Sequence, residues 1–443
     1  MSVLRNIHLT RFFFLVMGIG IVLIGMGYLQ PWLLIVGKTV LLVALFATVL
    51  DVFLVFGSQQ PIQVKRYFQP RMNLGDENKV EVRVWNQTIQ PLSVAIYEGY
   101  PVEMQRRSTA WTAILLPKRS TQFTYAFRPT ARGKYTFTDV VIFVRSPLFL
   151  AQRRLVIPFE ESTEVYPSVL QMKQYELKVF NPQTQAQGIK KVRRIGNTSE
   201  FEQIRNYVQG DDLRTINWKA TSRKNELMVN QYQEERSQPI YCVVDKSRPM
   251  QLAFHGMNML DYAINASLVF SNIALRKGDR AGLITFSDKM GTILPAEKSN
   301  GQLRRIIEGL YNQKTQFKEA NFELLYQTVR SQVKTRSLLM LFTNFESEFA
   351  MRRALPMLQR LNKRHVLVVV FFVNNELEAL AQQPVNSLKE LSLATVAEKM
   401  SAIKWGIARE LKKNGIQTIL SRPEDLSINT INKYLELKAK GMI

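Results

Sequence analysis

The stretch Pro239-Ile-Tyr-Cys-Val-Val-Asp245-Lys-Ser247-Arg-Pro249 constrains the fold of this chain more than any other. It is short, valine-rich and ends in an Asp-x-Ser turn, which predicts a buried strand rather than a helix. From here on, strand-like and helix-like stretches alternate. The pattern predicts strands over 240–245, 281–287, 338–343, 366–373 and 416–420, with helices over 257–277, 301–311, 321–332, 348–362, 396–414 and 423–438. Such alternation predicts a doubly wound, Rossmann-type α/β domain over residues 239–443, its parallel sheet covered on both faces. In that architecture the loop after the first strand lies at the ligand crevice. Asp245 and Ser247 are then candidate oxygen donors of the kind Mg²⁺ takes.

The N-terminus has a different character. Phe12 to Leu29 is uncharged and almost wholly apolar, and a second apolar segment reaches Phe56, interrupted only by Lys38 and Asp51. Both runs are long enough to cross a bilayer core, the second if Lys38 and Asp51 lie near its two interfaces. A cleaved signal peptide is the competing reading. Against it stand the length of the run and the lack of a small-x-small site before Gln30. Residues 1–60 therefore predict a transmembrane helical hairpin in the lipid bilayer, with Lys38 and Asp51 snorkelling from span ends. Arg5 and Arg11 precede the hairpin, Lys65, Arg66 and Arg71 follow it, and the turn carries little charge. That bias predicts an inner-membrane protein with both termini and the soluble domains in the cytoplasm.

Residues 61–170 alternate in the manner of strands, as in Val80-Glu-Val82-Arg-Val84 and Phe123-Thr-Tyr125-Ala-Phe127, with turn chemistry at Asn73-Leu-Gly-Asp76. An antiparallel β-sandwich is expected there. Residues 171–238 combine a polar linker, Asn181 to Gly188, with a dense polar and aromatic segment.

The charge balance excludes little but points somewhere. With 59 Lys+Arg against 36 Asp+Glu the net charge is +23, which suits an anionic membrane surface, an acidic protein or nucleic acid. The basic residues form no run of five and no arginine–aromatic reading motif, which disfavours nucleic acid. The one cysteine, Cys242, rules out a disulfide within the chain and a cysteine-based zinc site. His8, His255 and His365 lack zinc-like spacing. Gly37-Lys38-Thr39 would need a glycine where Trp32 stands to be a phosphate loop. No Gly-x-Ser-x-Gly elbow supports a hydrolase, although a base within reach of Ser247 would revive that class.

Several spaced motifs resemble one bacterial family. They are Glu200-Phe201, Arg205-x-Tyr207, Gly210-Asp211, Arg214-x-Ile216-x-Trp218-Lys219-Ala220 and Arg223, with Arg132-Gly133, Ser146-Pro147-Leu148-Phe149 and Val165-Tyr166-Pro167 upstream and Lys277 to Phe286 downstream. The chain is similar, from about residue 125 to 375, to the uncharacterised-domain family whose members end in a von Willebrand factor A-like module and accompany MoxR-type AAA+ ATPases. The resemblance implies a non-enzymatic role beside such an ATPase, and beside other von Willebrand A-domain membrane proteins.

A von Willebrand A metal site has Asp-x-Ser-x-Ser after the first strand, a threonine in a later loop and an aspartate after another strand. Asp245 and Ser247 match that pattern. Pro249 replaces the second serine, alanine stands near the threonine position at Ala320-Asn321, and the aspartate falls at Thr343-Asn344, where an amide replaces a carboxylate. Hard cations depend on ligand charge and count, so no cofactor is expected, Mg²⁺ on Asp245, Ser247 and Asn344 being the alternative. Asp245 could instead pair with Lys246 or cap a helix. In the hallmark segment, Arg205, Asp211, Arg214, Trp218 and Arg223 read either as a salt-bridged seam between domains or as a surface that recognises the ATPase. Gly210-Asp211-Asp212 reads as a tight turn leading into a helix. The sequence thus predicts a membrane-anchored adaptor that binds rather than breaks bonds. The alternative is a Mg²⁺-dependent protein-binding module.

Overall fold

In the computed structural model, all residues are described except 1–5, 59, 107–109, 147, 181–199, 210, 234–236, 255, 374–378 and 381–386. The linker at Asn181–Gly188, Gly210 of the hallmark, Pro147 and His255 therefore lie outside the described residues. The chain divides into two compact units, residues 1–166 and 167–443.

In the first unit the N-terminal apolar residues form helices Arg11–Met26 and Pro31–Phe56. Thr10 caps the first and Pro31 opens the second. The expectation of two full spans meets a difference here. Residues 27–30 go into the turn, leaving a first helix of 16 residues, about 24 Å long against a hydrocarbon core of about 30 Å. The second helix, 26 residues, is by length and composition able to cross a membrane. The pair packs closely through glycine: a Cβ on Gly37 would lie 2.8 Å from the Ile24 backbone nitrogen, and one on Gly20 2.5 Å from Leu41 Cδ2. Phe14, Ile21, Leu42, Phe46 and Phe53 point outward and are exposed.

Asp51 does not snorkel. It is fully buried and accepts hydrogen bonds from the Ser146 hydroxyl and from the backbone N–H groups of Leu150 (2.8 Å) and Ala151 (2.6 Å). A buried carboxylate is tolerated where such donors surround it. The same loop binds the start of the first helix, because Thr10 N–H donates to the Leu150 carbonyl at 3.0 Å. Residues Ile7–Leu9, just before that helix, pair antiparallel with Ala151–Ile157. Arg153 donates to the Ser58 carbonyl at 2.7 Å and covers the Phe56 ring. Both outer ends of the helix pair are thus tied to one β-domain.

That domain holds a five-stranded and two three-stranded sheets, antiparallel except where Arg71–Asn73 runs parallel to Glu161–Tyr166. Its strands bury alternate residues, Val80, Val82 and Val84 on one and Val140, Ile142 and Val144 on another, as period-2 patterning requires. Arg66 is not a free flanking charge. It forms a buried ion pair with Glu98 at 2.7 Å, its guanidinium stacked over Phe137. Burial pushes the Glu98 carboxyl up, while Arg66 pulls it down.

The second unit is built on a six-stranded sheet, its strands numbered here in chain order. They are β1 (Pro239–Asp245), β2 (Arg280–Phe286), β3 (Met290–Glu297), β4 (Leu338–Phe342), β5 (Val366–Phe372) and β6 (Gln417–Ser421). Their order is 3-2-1-4-5-6, parallel throughout except for β3, which pairs antiparallel with β2. The central strands are buried on both faces, so they read as continuous apolar runs. From β1, Ile240, Cys242 and Val244 face helices Met259–Arg276, Gln302–Tyr311 and Leu426–Ala439. Tyr241 and Val243 face helices Phe322–Gln332, Glu348–Arg364 and Leu388–Lys413. A further helix, Val169–Phe180, is held against Met259–Arg276, where Glu176 meets Asn272 at 2.9 Å and Arg276 at 2.9 Å. Successive strands are laid down on opposite sides of β1, so the switch point and its crevice lie at the carboxyl ends of β1 and β4.

Candidate functional site: the crevice and the hallmark hairpin

Asp245 ends β1 and Thr343-Asn344 follow β4, so the topology brings these residues to the mouth of the sheet. The Asp245 carboxylate is buried. It accepts from the Ser247 backbone N–H (2.8 Å) and from the Thr343 hydroxyl (2.6 Å). Burial pushes its pKa up, and those two donors oppose the rise. Its partners are therefore neither Lys246 nor a helix start. Lys246 is itself desolvated, which lowers its pKa, and the Asp288 charge works against that fall.

Ser247 is fully buried, and its hydroxyl, although near enough to Asp245 to stabilise the charge, meets no partner with hydrogen-bond geometry. Ser247, Pro249, Ala320, Phe322 and Asn344 line a small pocket of about 70 Å³. Its rim carries two ion pairs, Arg248–Glu346 at 2.9 Å and Arg353–Glu319. Asn321, beside the expected threonine position, caps the next helix by accepting from Leu324 N–H.

Asn344 is engaged at both ends of its amide. Its Nδ2 donates to the Pro249 carbonyl at 3.2 Å, and its Oδ1 accepts from the Lys404 ammonium at 2.6 Å. Lys404, on helix Leu388–Lys413, also donates to the Phe345 carbonyl at 2.5 Å. Burial lowers its pKa to about 8, against the pull of Glu346. Asp245, Ser247 and Asn344 are legible in the sequence, whereas Lys404 and the role of Thr343 are not. Thr343 adjoined a singled-out position, but Lys404, 60 residues from its partner, left no local signal.

The donor set does not fit Mg²⁺. The orphan hydroxyl of Ser247 favours a cation, and one carboxylate is present. Against these, a dication on Asn344 Oδ1 would lie about 4 Å from the Lys404 ammonium. The repulsion would be about 8 kcal/mol at an effective dielectric of about 20, and Pro249 and Ala320 offer no side-chain oxygen in return.

The hallmark segment forms a hairpin of Glu200–Asn206 and Met228–Gln233. Arg205 and Asp211 pair with each other in bidentate fashion, at 2.8 and 2.6 Å, and Asp211 also accepts from Val208 N–H. The Arg205 bond holds the Asp211 carboxyl below its usual range. Asp212 caps a single turn at Leu213–Thr215, and Asn217 caps the short helix Trp218–Lys224. Trp218 is 69% exposed, Leu213 68% and Val208 61%. In the same segment Arg214, Lys219, Arg223 and Lys224 are exposed. Among the described residues, no ion pair engages these four cations. Of the five hallmark residues, then, Arg205 and Asp211 lock the hairpin, while Arg214, Trp218 and Arg223 face outward.

An uncharacterised protein of Bacillus subtilis strain 168, YeaD, is 23% identical over 246 residues, covering 54% of this chain and 59% of YeaD. The chain thus spans about three fifths of that relative's length. Among solved structures, the CARDB domain of a Pyrococcus furiosus protein, in complex with di-metal ions, is 17% identical over 24% of this chain and 86% of its own, with a TM-score of 0.16. A β-glucosidase from Listeria innocua is 15% identical over 24% of this chain and 16% of its own, with a TM-score of 0.15. Residues 203–409, which carry both the hallmark hairpin and most of the crevice, match the family described as protein of unknown function DUF58.

Proposed function

We propose that this chain is a membrane-anchored, non-enzymatic adaptor that works with a MoxR-type AAA+ ATPase in assembling or activating protein complexes. Its C-terminal unit is read as von Willebrand factor A-like. The observation that carries this reading is the 3-2-1-4-5-6 sheet with its antiparallel β3 edge and an Asp-x-Ser turn leaving β1. A fold hosts many functions, so the site must supply the rest. Its carboxylate is buried and held by the Thr343 hydroxyl and the Ser247 backbone amide, a fixed arrangement that suits a binding surface.

The partner surface is assigned to the exposed Trp218, Leu213 and Val208 with Arg214 and Arg223 beside them. Aromatic and arginine residues are the usual anchors of protein interfaces, and the surplus of positive charge selects an acidic partner. Other von Willebrand A-domain membrane proteins are candidate neighbours in the same assembly. For localisation we favour the inner membrane with both termini cytoplasmic. The attachment of Ile7–Leu9 and Asp51 to one β-domain supports putting both outer helix ends on the same side.

Affinity purification of the full chain from native bacterial membranes tests the reading. An AAA+ ATPase should co-purify with the wild type and be lost from Trp218→Ala at unchanged helicity. A wild-type preparation that recovers no ATPase refutes it.

A further inference from the structure

The crevice at the end of β1 has the outline of a cation site, and the protein already keeps a cation there. Three elements meet at Asn344: the turn after β1 through the Pro249 carbonyl, the end of β4, and helix Leu388–Lys413 through Lys404. The Lys404 ammonium sits on the Asn344 amide oxygen and on the Phe345 carbonyl, 2.6 and 2.5 Å away. Both acceptors are neutral oxygens, and the first belongs to one of the three candidate metal ligands. Asn344 is 6% exposed, so the contact is removed from bulk water. With its Nδ2 fixed on Pro249, the amide cannot turn to offer Oδ1 elsewhere without losing a bond.

We infer that Lys404 is the resident cation at the Asn344 end of this crevice: its ammonium holds the Asn344 and Phe345 oxygens, keeps Asn344 from a divalent ion and clamps helix Leu388–Lys413 to the mouth of the sheet. The inference deepens the proposed function, since it rests on reading this crevice as the counterpart of a metal-dependent one. It predicts that whatever binds here does so without metal. An amide at residue 344 is the matching half of the device. It accepts from an ammonium without adding a second negative charge beside Asp245, which already lies buried. An aspartate there would add a second carboxylate at the mouth of the sheet, where Asp245 ends β1, and favour a dication.

The probe is Mn²⁺ alone, followed by the loss of its free-ion electron paramagnetic resonance signal on addition of the full chain in lipid nanodiscs. The expected result is that wild type and Asp245→Ala take up Mn²⁺ equally, so that no uptake depends on Asp245. The double variant Asn344→Asp/Lys404→Met should gain one site, with affinity at least tenfold above wild type, and lose it when Asp245→Ala is added. Circular dichroism and melting of each variant establish that the fold is kept. Mn²⁺ uptake by the wild type that Asp245→Ala abolishes would overturn the inference. So would a folded double variant that binds no better than wild type. Because no partner protein enters the assay, its outcome is independent of whether an ATPase is recovered from membranes.

Discussion

Replacing Asp51 with alanine should release the helix pair from the β-domain. The carboxylate accepts three hydrogen bonds, from the Ser146 hydroxyl and the Leu150 and Ala151 amides, and is wholly buried. Each bond to a charged group contributes about 1.5–3 kcal/mol, and each donor left buried without an acceptor costs about 1–3 kcal/mol. Because the three share one acceptor and the loop can relax, the net loss should be about 3–6 kcal/mol, less than the sum of the parts. At about 1.4 kcal/mol per tenfold, local opening of residues 148–153 should become at least about a hundredfold more frequent. Asp51→Asn keeps an oxygen for the two amides and turns its NH₂ toward Ser146, so about 1–3 kcal/mol is expected. Hydrogen exchange by mass spectrometry on the full chain in nanodiscs reads this directly. Exchange of the Leu150 and Ala151 amides should rise in the order wild type, Asn, Ala. Wild-type exchange rates in Asp51→Ala would refute the assignment of Asp51 as the joint.

Three further outcomes follow from other contacts. Lys404, lowered to about 8 from the ordinary 10.5, binds fewer protons folded than unfolded across that window. Wild-type stability should therefore rise by up to about 3 kcal/mol between pH 8 and 10.5, and urea denaturation of Lys404→Met should lack that rise. Asp211, held down by Arg205, contributes stability above the ordinary aspartate range that fades as pH falls through its lowered value. Asp211→Asn should make cleavage in the hairpin by added protease faster at pH 7, with the difference from wild type vanishing in acid. Gly37→Leu places a side chain 2.8 Å from the Ile24 backbone, so disulfide cross-linking between cysteines engineered into the two apolar helices should drop sharply.

The C-terminal sheet was legible because its strands are buried on both faces. Ile240 to Val244 and Val366 to Val373 are unbroken apolar runs, and a run followed by Asp-x-Ser marks its own crevice. Strand β3 was not legible. Gly291 and Pro295 interrupt its pattern, which an edge strand tolerates and a central one does not. Ile7–Leu9 is three residues long and carries no period of its own. Helix Val169–Phe180 was passed over because nearly all of it falls in the stretch read as linker and hallmark segment, residues 171–238, and the surface that buries it lies in Met259–Arg276, its Glu176 meeting Asn272 96 residues away. Asp51 and Lys404 failed for the same reason. Each looks like a solvated or snorkelling charge until its partners are known, and those partners lie 95 and 60 residues off. The Ser146-Pro147-Leu148-Phe149 motif was a visible clue to the first. Nothing local pointed to the second. The five hallmark residues were found together, but their division into a locked pair and an outward face depended on geometry, since arginine and aspartate at this spacing fit either role.

The adaptor reading is tested most directly by placing a photo-crosslinking amino acid at position 218 of the full chain in living cells. The account predicts one dominant product, a covalent adduct with an AAA+ ATPase recovered in the membrane fraction, absent when the crosslinker is moved to buried position 229. Adducts with no protein, or with proteins of which none is such an ATPase, would contradict it.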